Sequence, residues 1–162
     1  MVIFLTSLKL LKEEDGLSPM LREFRNFIES NDIESVAFVG SIGVCQPFAE
    51  LFGYAIRNKE SYFIPNGDLS NVKKLVIKDI GMQMEDFESL DKVDAVVLFG
   101  GLAMPKYGVE VDKIKEIIKK LSPKKVIGIC FMSIFKKAGW DKEIDFDYLI
   151  DGFIKISLYC KD

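Results

Sequence analysis

Three short, almost wholly apolar runs in this chain each stop at a glycine, a cysteine or both. Val36-Ala37-Phe38-Val39 precedes Gly40-Ser41-Ile42-Gly43-Val44-Cys45-Gln46-Pro47. Ala95-Val96-Val97-Leu98-Phe99 precedes Gly100-Gly101-Leu102-Ala103-Met104-Pro105, and Val126-Ile127-Gly128-Ile129-Cys130 precedes Phe131-Met132-Ser133. A run that is apolar at every position reads as a strand covered on both faces. Between these runs lie helical stripes: Met20, Leu21, Phe24, Phe27 and Ile28; Phe48, Leu51, Phe52, Ala55 and Ile56; Val111, Ile114, Ile117, Ile118 and Leu121. Strands alternating with helices predict an α/β fold, a three-layer sandwich with a mostly parallel, Rossmann/flavodoxin-like sheet. In such a fold the carboxyl ends of the parallel strands share one edge, and ligands bind there. Segments far apart in sequence are thereby expected at one crevice.

The 162 residues fit a single domain over 1–162, and 49% hydrophobic composition supplies its core without disulfides. Charged residues make up 29% and the net charge is −3, with lysines and acids interleaved. No basic stripe marks a nucleic-acid footprint, and the isoelectric point near 5.2 agrees. The uncharged stretch from Ser35 to Ala49 is too short to span a membrane. Met1-Val2-Ile3-Phe4-Leu5 has neither leading basic residues nor a small-residue cleavage site, so it makes a poor signal peptide. Three widely spaced cysteines do not make a disulfide framework, and a cytoplasmic protein with reduced thiols is expected.

The chain contains no histidine. A Ser-His-Asp or Cys-His triad within one chain is therefore excluded, as is histidine ligation of a metal. No ligand spacing points to a metal site, and no cofactor is named by a motif. Acid–base chemistry would fall to Asp, Glu, Lys, Cys or Tyr.

Smaller elements are less regular. Residues 2–5, extending to Leu11, read as an edge strand. Ser18-Pro19 reads as a capped helix start, and Asn31-Asp32 as its end. Tyr62 to Pro65 and Leu75 to Ile77 read as strands. The roughly ten residues between them are too few for a helical crossover, so one of the two is expected antiparallel or at an edge. Met84 to Leu90 reads as a short helix or turn, Phe131 to Ala138 as a short helix stopped by Gly139, and Leu149 to Tyr159 as a strand returning to the sheet. Trp140 and Phe146 are expected in the core.

The candidate site follows from the three boundaries. Gly40, Ser41, Gly43, Cys45 and Gln46 form a strand-to-helix loop in which Pro47 fixes the helix start, and N–H groups there can hold an anion. The spacing is neither a dinucleotide fingerprint nor a Walker loop. Cys45 would lie in the positive field of that helix end, which favours a thiolate, or is simply a buried, inert thiol. Gly100 and Gly101 permit close backbone approach, and Lys106 offers a charge for a carboxylate or phosphate. The apolar residues Leu102 to Pro105 are either packed under something or contact a partner. Cys130 ends a strand where a nucleophile elbow would sit, but Met132 replaces the expected glycine. Cys45 and Cys130 would be close if their strands are neighbours, and Cys160 is peripheral. Glu50, Asp68, Asp79, Asp147 and Asp151 are acids that could face the crevice.

The run from Val44 to Arg57, the Gly100 to Pro105 loop, and Gly128 to Met132 with Gly139-Trp140 resemble a family of uncharacterised archaeal proteins, mostly from methanogens, catalogued as domain of unknown function 2124. That resemblance implies a cytoplasmic archaeal protein. A narrower resemblance, from Asp94 to Gly101 through the helix at Val111 to Gly128-Ile129-Cys130, is to the class I glutamine amidotransferase-like fold. With Met132 in place of a glycine and no histidine, it implies a non-catalytic or repurposed member. Three functions compete: a module binding a nucleotide or other small anionic metabolite, a thiol enzyme or redox protein using Cys45 or Cys130, and an assembly subunit, in a homo-oligomer or larger complex, using the Leu102 to Pro105 loop and an edge strand.

Overall fold

The computed structural model of the chain describes residues 8–106 and 108–162. The expected strand at residues 2–5 lies outside the described residues, and its extension to Leu11 is not found, because residues 8–15 form no helix or strand. Lys12 instead pairs with Glu23 at 2.9 Å, and Glu14 pairs with Arg22, tying this segment along helix α1 (Leu17–Ser30). That helix begins one residue before Ser18. Gly16, at φ 106°, occupies the cap, so Ser18 and Pro19 fall in the first turn. Met20, Phe24 and Ile28 form its buried stripe.

Seven strands follow: β1 (Ser35–Gly40), β2 (Glu60–Pro65), β3 (Lys73–Lys78), β4 (Gly81–Asp86), β5 (Ala95–Phe99), β6 (Lys125–Phe131) and β7 (Tyr148–Gly152). They form one sheet in the order β4-β3-β2-β1-β5-β6-β7. β2, β1, β5, β6 and β7 run parallel, while β3 is antiparallel to β2 and to β4. The short β2–β3 connection thus reverses the chain as its length requires. Asn66 and Gly67, both at positive φ, make the turn, and the Asp68 carboxylate accepts the Ser70 N–H at 3.0 Å.

Residues 84–86 belong to β4 and not to a helix. Gly81, at φ 115°, closes a tight hairpin, and Met82 and Met84 alternate with Gln83 and Glu85 so that the methionines reach the core. This is the period-two pattern of a strand. The expected helix from Phe131 shortens to α4 (Ile134–Lys137) because Phe131 pairs with Gly152 and Met132 and Ser133 are both left-handed. The expected strand to Tyr159 stops at Gly152.

Alternate residues of the strands feed two cores. Val36 and Phe38 of β1 pack with α1 and with α2 (Gln46–Ala55) on one face. Ala37 and Val39 pack with α3 (Val111–Leu121) and α4 on the other, where Trp140 and Phe146 are also buried. The protein is therefore a three-layer α/β sandwich. At the amino edge of the parallel strands, Asp94 accepts the Glu34 N–H at 2.8 Å and Asp147 accepts the Val126 N–H at 2.7 Å. No helix among the described residues is long and apolar enough to cross a membrane.

Candidate functional site: the crevice at the β1/β5 switch point

Among the parallel strands the order β2-β1-β5-β6-β7 reverses direction between β1 and β5. The chain leaving β1 passes to α2 on one face, and the chain leaving β5 passes towards α3 on the other. In open α/β sheets, loops that diverge in this way flank the carboxyl edge at which ligands bind. Residues 40–46 and 100–106 are those two loops.

The structure brings most of the expected residues together here. Cys45 donates its N–H to the Ser41 carbonyl at 3.1 Å, and the Ser41 Oγ lies 3.3 Å from the Cys45 Sγ. Both residues are buried. Gly101 sits against this pair: a Cβ there would overlap the Cys45 sulfur and lie 2.6 Å from the Ser41 Oγ. A Cβ on Gly40 would overlap the Cys45 Cβ. On the other side of the strand end, a Cβ on Gly100 would lie 2.7 Å from the Cys130 Cβ. These three glycines therefore let protein segments approach one another. Gly43 is different. It has φ +83°, and a Cβ there would meet nothing within 4 Å, so its side faces open space between exposed Ile42 and Val44. Gln46 opens α2 half-buried, and that helix starts with no side-chain cap hydrogen bond. Pro47 carries no N–H and the Cys45 N–H goes to Ser41, so the first-turn donors without a helical partner are those of Gln46 and Phe48.

Lys106 is exposed on the second loop. That loop folds back on itself: Gly108 donates to the Met104 carbonyl at 2.7 Å and Val109 to the Leu102 carbonyl at 2.9 Å. Leu102 is fully buried in the α3–α4 core, with Ala103 packed beside it. The apolar character of Leu102 thus serves the protein's own core, and a partner contact through this side chain is ruled out.

Cys45 and Cys130 are not on neighbouring strands. β5 lies between β1 and β6, and the two thiols belong to cores on opposite faces of the sheet. Cys130 lies within β6, with the sharp turn coming later at left-handed Met132 and Ser133, so the cysteine occupies no elbow. The amidotransferase-like resemblance gains no support from this geometry. Burial pushes the Cys130 thiol up to about 12, and the Asp151 carboxylate beside it, 3.6 Å from the sulfur, adds to the rise.

Asp151 stands directly across from Cys130 in the β6–β7 register. Its carboxylate accepts the Ser133 N–H at 2.9 Å and the Ser133 Oγ–H at 2.6 Å. This clamp holds the left-handed turn. Ser133 was not singled out by the sequence, and no local spacing could reveal it, since its partner is 18 residues away across a strand pair. Of the other acids, Asp68 caps its own turn near the carboxyl end of β2, whereas Asp147 and Asp79 lie at the opposite edge. Glu50 is half-buried on α2. Two surface hollows lie off the crevice. One, of about 420 Å³, is lined by Lys78, Asp79, Ile80 and Gln83; the other, of about 250 Å³, lies between the Gly67–Ser70 turn and α3.

The fold and its strand order define a switch-point α/β protein. Within that class, the chain belongs to the family described as an uncharacterised protein conserved in archaea, DUF2124, whose model matches residues 15–155. An uncharacterised protein of Methanocaldococcus jannaschii is 83% identical over 156 residues, covering 96% of this chain and 97% of that relative. One from Methanothermobacter thermautotrophicus is 38% identical over 150 residues, covering 89% and 96%. A crystal structure of a protein of unknown function from the latter organism superposes with TM-score 0.90 at 34% identity, over 96% of this chain and all of that one.

Proposed function

We propose that the protein binds a small anionic metabolite, with a nucleotide as the type, in the crevice between residues 40–46 and 100–106. The observation that carries this reading is the reversal of strand order between β1 and β5. The uncapped opening of α2, ten residues long, offers N–H donors for a negative group. Exposed Ile42 and Val44 offer apolar surface for a ring. Thiol chemistry is the weaker reading, because both thiols at this edge are buried and Cys130 is held protonated. Free thiols in both cores fit a reducing, cytoplasmic setting.

The test is isothermal titration and native mass spectrometry with inorganic phosphate, AMP, NADH and FMN as probes. Saturable binding of at least one nucleotide is expected. Ile42→Glu, at an exposed position, places a carboxylate at the loop and should weaken that binding at least tenfold without moving the unfolding midpoint. No retained mass and no heat with any probe would overturn the reading.

A further inference from the structure

Residues 153–162 leave the end of β7 and form no helix or strand. Within seven positions they expose five large apolar side chains: Phe153 at 69%, Ile154 at 59%, Ile156 at 79%, Leu158 at 91% and Tyr159 at 88%. Their order alternates. Ile154, Ile156 and Leu158 would share one face of a strand, with Phe153, Lys155, Ser157 and Tyr159 on the other. Among the described residues β7 is the edge of the sheet, paired only to β6, so no described strand covers its outer row of backbone groups. Among the described residues, a strand-patterned segment thus continues directly from this edge, touching the fold at its start, where Ile154 donates its N–H to the Met132 sulfur at 3.5 Å.

We propose that this segment pairs antiparallel with the same segment of a second copy of the chain, making a twofold dimer. Area is the first argument. Phe153 and Tyr159 each offer about 150–250 Å² on full burial, and with the three aliphatic residues one segment carries on the order of 500 Å². Monomers rarely expose apolar patches much beyond this. Two such segments carry on the order of 1,000 Å² of apolar surface between them, just below the roughly 1,200–2,000 Å² of a stable interface. Self-complementarity is the second. An antiparallel pair centred on Ser157 sets Ile156 against Leu158, Ile154 against Cys160 and Lys155 against Tyr159, and opposes no like charges. A twofold interface requires this kind of match of one segment to itself.

Light scattering on the eluting full-length protein tests the assembly. The expected mass is twice the 18.4 kDa of the chain, falling to the chain mass in Ile156→Asp/Leu158→Asp, whose positions are too exposed to disturb the folded body. Far-ultraviolet circular dichroism unchanged in the variant would keep the two effects apart. In a Cys160→Ser background, Ser157→Cys should cross-link to its own copy on mild oxidation, because directly opposed strand residues have Cβ atoms about 4.5–5.5 Å apart. A monomeric native chain, a dimer indifferent to the double substitution, or a dimer in which Ser157→Cys does not cross-link would each overturn the proposal.

Discussion

Gly101→Ala tests whether the glycine pair after β5 exists to let the protein pack or to admit a ligand. Gly101 has no positive φ, so alanine meets no backbone penalty there. Its methyl would overlap the Cys45 sulfur and sit 2.6 Å from the Ser41 Oγ. Neither side chain can swing away, since both are about 2% exposed and bonded to each other at 3.3 Å. Overpacking of this kind costs about 1–3 kcal/mol. Alanine returns about 0.4–1 kcal/mol by stiffening the unfolded chain. The net loss is roughly 1–2 kcal/mol, or about 2–8 °C in the melting temperature of a domain this size. In a Ser41→Ala/Cys45→Ala background both opposing atoms are gone, and the same substitution should be neutral or gain a few tenths of a kcal/mol. Guanidinium unfolding of the four proteins gives the coupling, expected at about 1–2 kcal/mol. An equal cost of Gly101→Ala in both backgrounds would refute the packing argument and return the glycine to the ligand.

Two further outcomes concern titration. The Glu34 N–H holds the Asp94 carboxyl below its ordinary value, with Lys124 assisting, so the stability it adds is complete above the unfolded carboxyl value and is lost as pH falls through the folded one. Asp94→Asn should cost about 1 kcal/mol at neutral pH, the difference between a charged and a neutral acceptor, and that gap should close towards acid in urea titrations at stepped pH. A gap independent of pH would contradict the assignment. Iodoacetamide near pH 8 should modify exposed Cys160 alone, with Cys45 and Cys130 labelled only after unfolding. Asp151→Asn should move the Cys130 thiol down from about 12 by removing the adjacent negative charge, read as thiolate ultraviolet absorbance against pH on the folded protein, while burial keeps it above the ordinary thiol value. An upward shift would reverse the assigned role of the carboxylate.

The sheet was legible wherever burial on both faces wrote a continuous apolar run, as at β1, β5 and β6, and the stripes of α1, α2 and α3 were legible from helical period. What was hidden depends on non-local pairing. β4 carries half-buried methionines between polar residues, a pattern shared with a turn until the Gly81 hairpin sets its register on β3. The segment after Gly152 has every local mark of a strand, but a strand needs a partner, and none within the described fold supplies one. The candidate site was legible as a place because glycines and cysteines crowd the strand ends. The role of those residues was not, since a glycine that admits a ligand and one that admits a neighbouring thiol look alike in sequence. Gly101 packs against a thiol, whereas Gly43 faces open space.

This division also determines what the edge can recognise. Cys45 belongs to the α1–α2 core and Cys130 to the α3–α4 core, with β5 between their strands. A shared disulfide or soft metal would have to bridge around the end of β5, where Gly100 and Gly101 pack directly against the two cysteines. Both thiols therefore face inward. The surface presented outward by the first loop is backbone together with Ile42 and Val44. On the proposed reading, such a surface would hold a charge through peptide N–H groups and a ring through aliphatic contact, the combination a nucleotide carries. Replacing either thiol would disturb a core before it disturbed this surface. Ile42→Glu acts on the surface alone, and so separates binding at the crevice from the packing beneath it.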